Sequence, residues 1–129
     1  MASHVYPKAK EAFISGTLDL TSANIKIVLL TSAYTYSTSH QFLSDITSGT
    51  IATSGNLASK TVMNGVFDAA DITLTAVASG STIVSLVGYK DTGTGSTSPL
   101  IWFNDGFSQA TNGADITVQW DNVAKIFSL

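Results

Sequence analysis

The side chains able to move a proton near neutral pH are His4 and His40. His4 lies just ahead of the first predicted helix; His40 follows a polar stretch, with Asp45 five residues on. A Ser-His-Asp set can be assembled on paper from so many serines, yet no Gly-x-Ser-x-Gly elbow presents a nucleophile. His40 therefore reads as a structural or exposed residue. Asp68 and Asp71 flank Ala69 and Ala70, close enough to share a cation or a proton. Paired carboxylates act as acid and base when their surroundings split their pKa values. The same residues also cap turns through Asx hydrogen bonds. An EF-hand is excluded, because no Asp-x-Asp-x-Asp loop closed by glutamate is present.

Asp91-Thr92-Gly93 superficially resembles the Asp-Thr-Gly triplet of aspartic proteases, in which two aspartates share one proton. Here the triplet opens a Ser/Thr/Gly run, residues 91–98, that reads as a flexible hairpin connection. That run lacks the Gly-Lys-Ser/Thr of a phosphate loop and precedes a strand, not a helix. With cysteine absent, thiolate metal sites and disulfides are excluded. Trp102 and Trp120 have alternating apolar neighbours and are expected as core anchors, the other reading being stacking on a sugar. The expectation is a protein that is not an enzyme, with no catalytic residue, no cofactor and no metal.

The elements that must position these groups are mostly strands. Residues 6–15 predict one short helix, with Pro7 in its first turn, Ala9, Ala12 and Phe13 on one face, and Gly16 as its stop. Residues 25–30, IKIVLL, and residues 82–89 are apolar on both alternating faces and predict central strands. Tyr34 and Tyr36 stand two apart, so on a strand they would share a face. Residues 40–46 predict a helical turn, and residues 50–53 an edge strand. Residues 60–67 predict a strand with a turn at Asn64-Gly65, the dipeptide favoured where φ must be positive. Residues 71–77 alternate, with Ile72, Leu74 and Ala76 on one face. Residues 99–103 and 115–120 complete the central pattern; Asp121-Asn122 turns the chain into 123–129, which closes the sheet. The fold class is mainly β: one domain over 1–129, a β-sandwich or barrel of about seven to eight strands.

Seventeen Ser, seventeen Thr and ten Gly stand against only 12% charged residues. Hydroxyls, not charges, must therefore wet the outer faces of the sheets. Low charge also suits packing against copies of the chain or another protein, because interface centres are poor in charge. All six cations are lysines and the net charge is -3, which argues against nucleic acid as partner. No apolar run is long enough for a membrane span, and the N-terminus lacks the apolar centre of a signal peptide.

Several segments in order resemble a family of small tailed-bacteriophage structural proteins. They are YPKAKEAF at 6–13, LDL at 18–20, IKIVLL at 25–30, HQFLSDI at 40–46 and SKTVMNGVFDAADITLTAV at 59–77. VGYKDTGTGSTSPLI at 87–101, TNGADITVQWDN at 111–122 and KIFSL at 125–129 complete the set. Residues 31–39 and 47–56 depart from the pattern. The resemblance implies a virion protein made in the host cytoplasm, best placed as capsid decoration, or cement. Such a protein sits on the outer surface of the major capsid protein lattice, as a homo-oligomer with a trimer favoured. The alternative it leaves is a tail or baseplate component for host recognition. Residues 1–6 are a candidate docking arm, and Val5, Tyr6, Tyr34 and Tyr36 are the candidate partner contacts.

Overall fold

The structure is a computed structural model that describes residues 2–120 and 126–128. In chain order come β1 (Ala2–Val5), α1 (Pro7–Ser15), β2 (Ile25–Leu30) and β3 (Thr50–Thr53). Next are β4 (Thr61–Met63), β5 (Val66–Asp68), β6 (Ile72–Leu74), β7 (Thr82–Ile83) and β8 (Ser85–Lys90). The last are β9 (Leu100–Asp105), β10 (Gln109–Ala110), β11 (Ile116–Val118) and β12 (Phe127–Ser128). The fold is mainly β, as expected, but it carries twelve strands among the described residues where seven or eight were counted. The excess consists of pieces two to four residues long, too short for alternation to reveal.

An antiparallel sheet in the order β1-β9-β8-β2-β3 forms the centre. Its edges, β1 and β3, remain open, so the barrel alternative is excluded and the sandwich-like one holds. Three small antiparallel sheets accompany it: β7 with β10, β6 with β11, and β4-β5-β12. The apolar segments placed centrally by their composition, β2 and β8, are indeed internal strands and are almost wholly buried. Both carry β-branched or large aliphatic residues, which pack well on a pleated surface covered on two sides.

Trp102 and Phe103 are adjacent on β9 and so project to opposite faces. On the Trp102 side, Phe67, Trp120 and Phe127 approach the indole with ring centroids 5.9, 6.1 and 5.6 Å away. This packing joins the small β4-β5-β12 sheet to the central one, and both tryptophans are core residues, as expected. Gly88 lies opposite Trp102 in register, and a Cβ there would sit 2.1 Å from the ring. Glycine is needed at this point so that the indole can lie against the backbone of β8.

The Phe103 side is covered by the long connection 31–49. The tyrosines expected to share a strand face lie there in irregular chain. Both rings still reach Phe103, at 6.0 Å for Tyr34 and 5.2 Å for Tyr36. Helix α1 starts at Pro7 and ends at Gly16 in the left-handed conformation, φ 78°, with the Thr17 amide returning to the Ala12 carbonyl. The alternation expected through Ala76 stops at Leu74. Ala76 itself has φ 50° and donates its N–H to the Asp115 carboxylate, 2.9 Å, so it turns the chain out of the strand.

Residues 2–5 form an edge strand paired with β9 from Ala2 opposite Asp105 to Val5 opposite Trp102. They are therefore not a free docking arm: the open edge of β9 offers them backbone partners within the chain itself. Met1, the turn at Asp121-Asn122, most of the closing segment 123–129 and Lys125 lie outside the described residues. Phe127 and Ser128 do pair with β5.

Candidate functional site

The hydroxyl and imidazole chemistry gathers at the Phe103 face. Tyr6 is anchored where β1 passes into α1, its N–H donating to the Ile101 carbonyl at 3.0 Å. Its hydroxyl lies 2.6 Å from that of Tyr34, which lies 2.8 Å from His40 Nδ1. Tyr6 is fully buried and Tyr34 nearly so, at 7% exposure. Burial pushes the Tyr6 phenol far above its ordinary range and raises that of Tyr34 as well, so both remain hydroxyls. Tyr36 packs on Tyr6 at 4.9 Å and is half-buried, as is Val5. Of the four candidate contacts, Tyr6 and Tyr34 are thus spent inside the fold, and Val5 is held in an edge strand. The reason is local: the polar run around the tyrosines leaves their rings as its main means of attachment to the sheet.

His40 is held by Tyr34 in the structural position expected of it. Asp45 belongs to the short turn Leu43–Asp45, where its carboxylate accepts the amides of Gln41 and Phe42 at 2.7 and 3.0 Å. Those bonds hold its carboxyl below the usual carboxylate range. The same stretch is tied to β9 and its approach: Leu100 N–H donates to Gln41, and Leu43 N–H donates to Ser98. His4, beside Tyr36 at 5.7 Å, faces Asp105 at 3.8 Å on the exposed side.

The remaining acids are engaged elsewhere. Asp91 forms an ion pair with Lys26 at 2.7 Å and accepts the Gly93 amide at 2.9 Å. Hydrogen bonding to Lys26 first, then to Gly93, keeps its carboxyl ionised and below its ordinary range. A paired carboxylate of this kind is the reverse of one that shares a proton with a second aspartate. Asp71 accepts the Trp120 amide at 2.9 Å, and Trp120 Nε1 donates to the Ala70 carbonyl at 3.1 Å. Asp71 thus bonds across to residue 120 and not to the backbone of its own turn, as an Asx cap would. No cluster of three or more acidic or histidine side chains suited to a metal occurs among the described residues.

The surface offers a different feature. A groove of about 390 Å³ lies between the end of α1 and the β4-β5-β12 sheet. Phe13 and Leu18 wall one side, while Val62, Val66, Phe67 and Phe127 line the other. Val62 is 54% exposed, and its neighbour Met63 is 70% exposed. Ile14, next to Phe13 on the helix, is 88% exposed. These are the large exposed apolar side chains among the described residues, and of the three Val62 lines the groove. The sequence held a signal for this face. Val62 is an apolar residue in a strand only three residues long at the edge of a small sheet, which leaves it little cover. A second pocket, about 280 Å³, opens between β11, residues 107–109 and Leu29 and Leu86 of the central sheet. No helix among the described residues is long and apolar enough to cross a membrane. No family model, curated protein or solved structure matches the chain.

Proposed function

We propose that this chain is a virion structural protein that decorates the outer surface of a bacteriophage capsid, binding the major capsid protein lattice as a trimer. The observation that carries the reading is the apolar groove between α1 and the β4-β5-β12 sheet, with the exposed Val62 in its wall. An open apolar groove on a chain otherwise wet by hydroxyls suits a protein-protein contact. The ordered phage-like segments supply the class of partner. Binding only the assembled shell stabilises that state by mass action, which is how a small accessory protein strengthens a large container. Burial of Tyr6 and Tyr34 moves the proposed contact from the tyrosine loop to the α1-β4-β5 face.

The test is copy number per purified virion, measured by quantitative mass spectrometry against the major capsid protein, together with binding of the purified chain to expanded heads. Hundreds of copies and saturable binding are the expected result. A handful of copies would move the protein to the tail or baseplate. Absence from the particle would overturn the structural reading altogether.

A further inference from the structure

We infer that the Tyr6-Tyr34-His40 chain is a pH-sensitive clamp, which holds residues 31–46 on the Phe103 face at neutral pH and loosens them when His40 is protonated. The inference stands on a count of hydrogens. Two links join three groups: Tyr6 hydroxyl to Tyr34 hydroxyl, and Tyr34 hydroxyl to His40 Nδ1. With neutral His40 carrying its hydrogen on Nε2, Tyr34 donates to Nδ1 and Tyr6 donates to Tyr34. Both hydroxyl hydrogens are then used. Protonation places a third hydrogen on Nδ1, so three hydrogens compete for two links. One hydroxyl hydrogen loses its acceptor, and both hydroxyls belong to buried residues. The chain resolves the conflict by letting His40, which is half-exposed, turn to water. Tyr34 then loses its outer anchor.

The other groups around the clamp do not relieve it. Asp45 attracts a charged imidazole, but its Oδ2 takes the Gln41 and Phe42 amides and no hydrogen bond joins its carboxylate to Tyr6 or Tyr34. It remains ionised throughout the range in which histidine changes charge. Tyr36 packs on Tyr6 without a hydrogen bond to this chain, and Phe103 contributes only its ring. His4 lies beyond Tyr36 and faces Asp105 in a separate surface pair.

Backbone hydrogen exchange of the intact chain, corrected for intrinsic rates, tests the clamp at about pH 7.5 and about pH 5. The amides of Tyr34, His40 and Leu43, each hydrogen-bonded in the structure, report on the segment. Their protection is expected to fall about tenfold on acidification while β2 and β8 are unchanged, the scale set by one unpaired buried hydroxyl. His40→Asn keeps an acceptor near the Nδ1 position and does not titrate, so its protection should be the same at both pH values. Tyr34→Phe should show weak protection at both. Undiminished protection in the wild type at low pH would overturn the inference, as would an equal loss in His40→Asn.

Discussion

At Gly88, a single missing methyl group decides how the two sides of the molecule meet. The Trp102 ring occupies the space a Cβ would need, with Cζ3 at 2.1 Å and Cη2 at 2.2 Å from the ideal position. Rigid aromatic carbon, itself packed against Phe67, Trp120 and Phe127, cannot withdraw without disturbing that cluster. Gly88→Ala should therefore destabilise the protein by about 3 kcal/mol, the upper part of the range for overpacking. Urea denaturation measures it; an unchanged midpoint would mean that the indole has another place to lie. Asp91 makes a quieter contribution, through its charge. Its carboxyl titrates below the ordinary value when folded, so its stabilisation is present above about pH 3.9 and is lost as pH falls through the lowered value. Asp19 and Asp45 are shifted the same way, by hydrogen bonds at Thr21 and at Gln41 and Phe42. Acid unfolding of Asp91→Asn should consequently keep the contribution of the other two and show a shallower loss of stability below about pH 4. The pair with Lys26 is partly exposed, so the change in slope should diminish in high salt.

At the scale of elements, the β4-β5 hairpin turns on two residues with positive φ, Asn64 at 52° and Gly65 at 77°. That geometry matches the right-handed twist of the strands, and Asn tolerates it where a β-branched residue does not. Asn64→Gly should leave stability nearly unchanged, whereas Asn64→Val should cost about 1–2 kcal/mol, read from paired thermal melts. Equal melts would mean that the turn can relax without strain. This turn was legible because Asn-Gly states its backbone geometry in two letters. The helix with its proline start and glycine stop, the strands β2, β8 and β9, and the edge strand Thr50–Thr53 were legible for the same kind of reason. Where only an outside partner creates the element, the sequence was mute. Ala2–Val5 is extended because β9 has an edge to offer, and Gln109–Ala110 because β7 lies beside it. The tyrosine cluster was half legible. The two-residue spacing of Tyr34 and Tyr36 announced an aromatic pair, but nothing local tells that Tyr6, twenty-eight residues before Tyr34, supplies its buried hydrogen-bond partner. The apolar groove was not read at all, since its walls come from α1, β4, β5 and β12.

For the whole molecule, the question is what the α1-β4-β5 face meets. The chain has a net charge of -3 and few charged residues, so little repulsion keeps this face from a second surface. Two partners compete for it within the proposed function: the capsid lattice, and copies of the chain itself in a trimer. Val62 discriminates between them because it lines the groove and is 54% exposed, so it contributes little to the core. Replacing it with lysine should change folding stability by no more than about 0.5 kcal/mol, as for other surface positions. If the face docks on the shell, Val62→Lys should weaken binding to expanded heads by at least tenfold, or about 1.4 kcal/mol, while the sedimentation behaviour of the free protein stays as it was. A Val62→Lys variant that sediments as a smaller species would assign the face to contacts between copies, and the shell contact would then belong elsewhere on the chain. A variant that binds heads and self-associates like the wild type would remove this face from the function, and with it the observation on which the capsid reading chiefly rests.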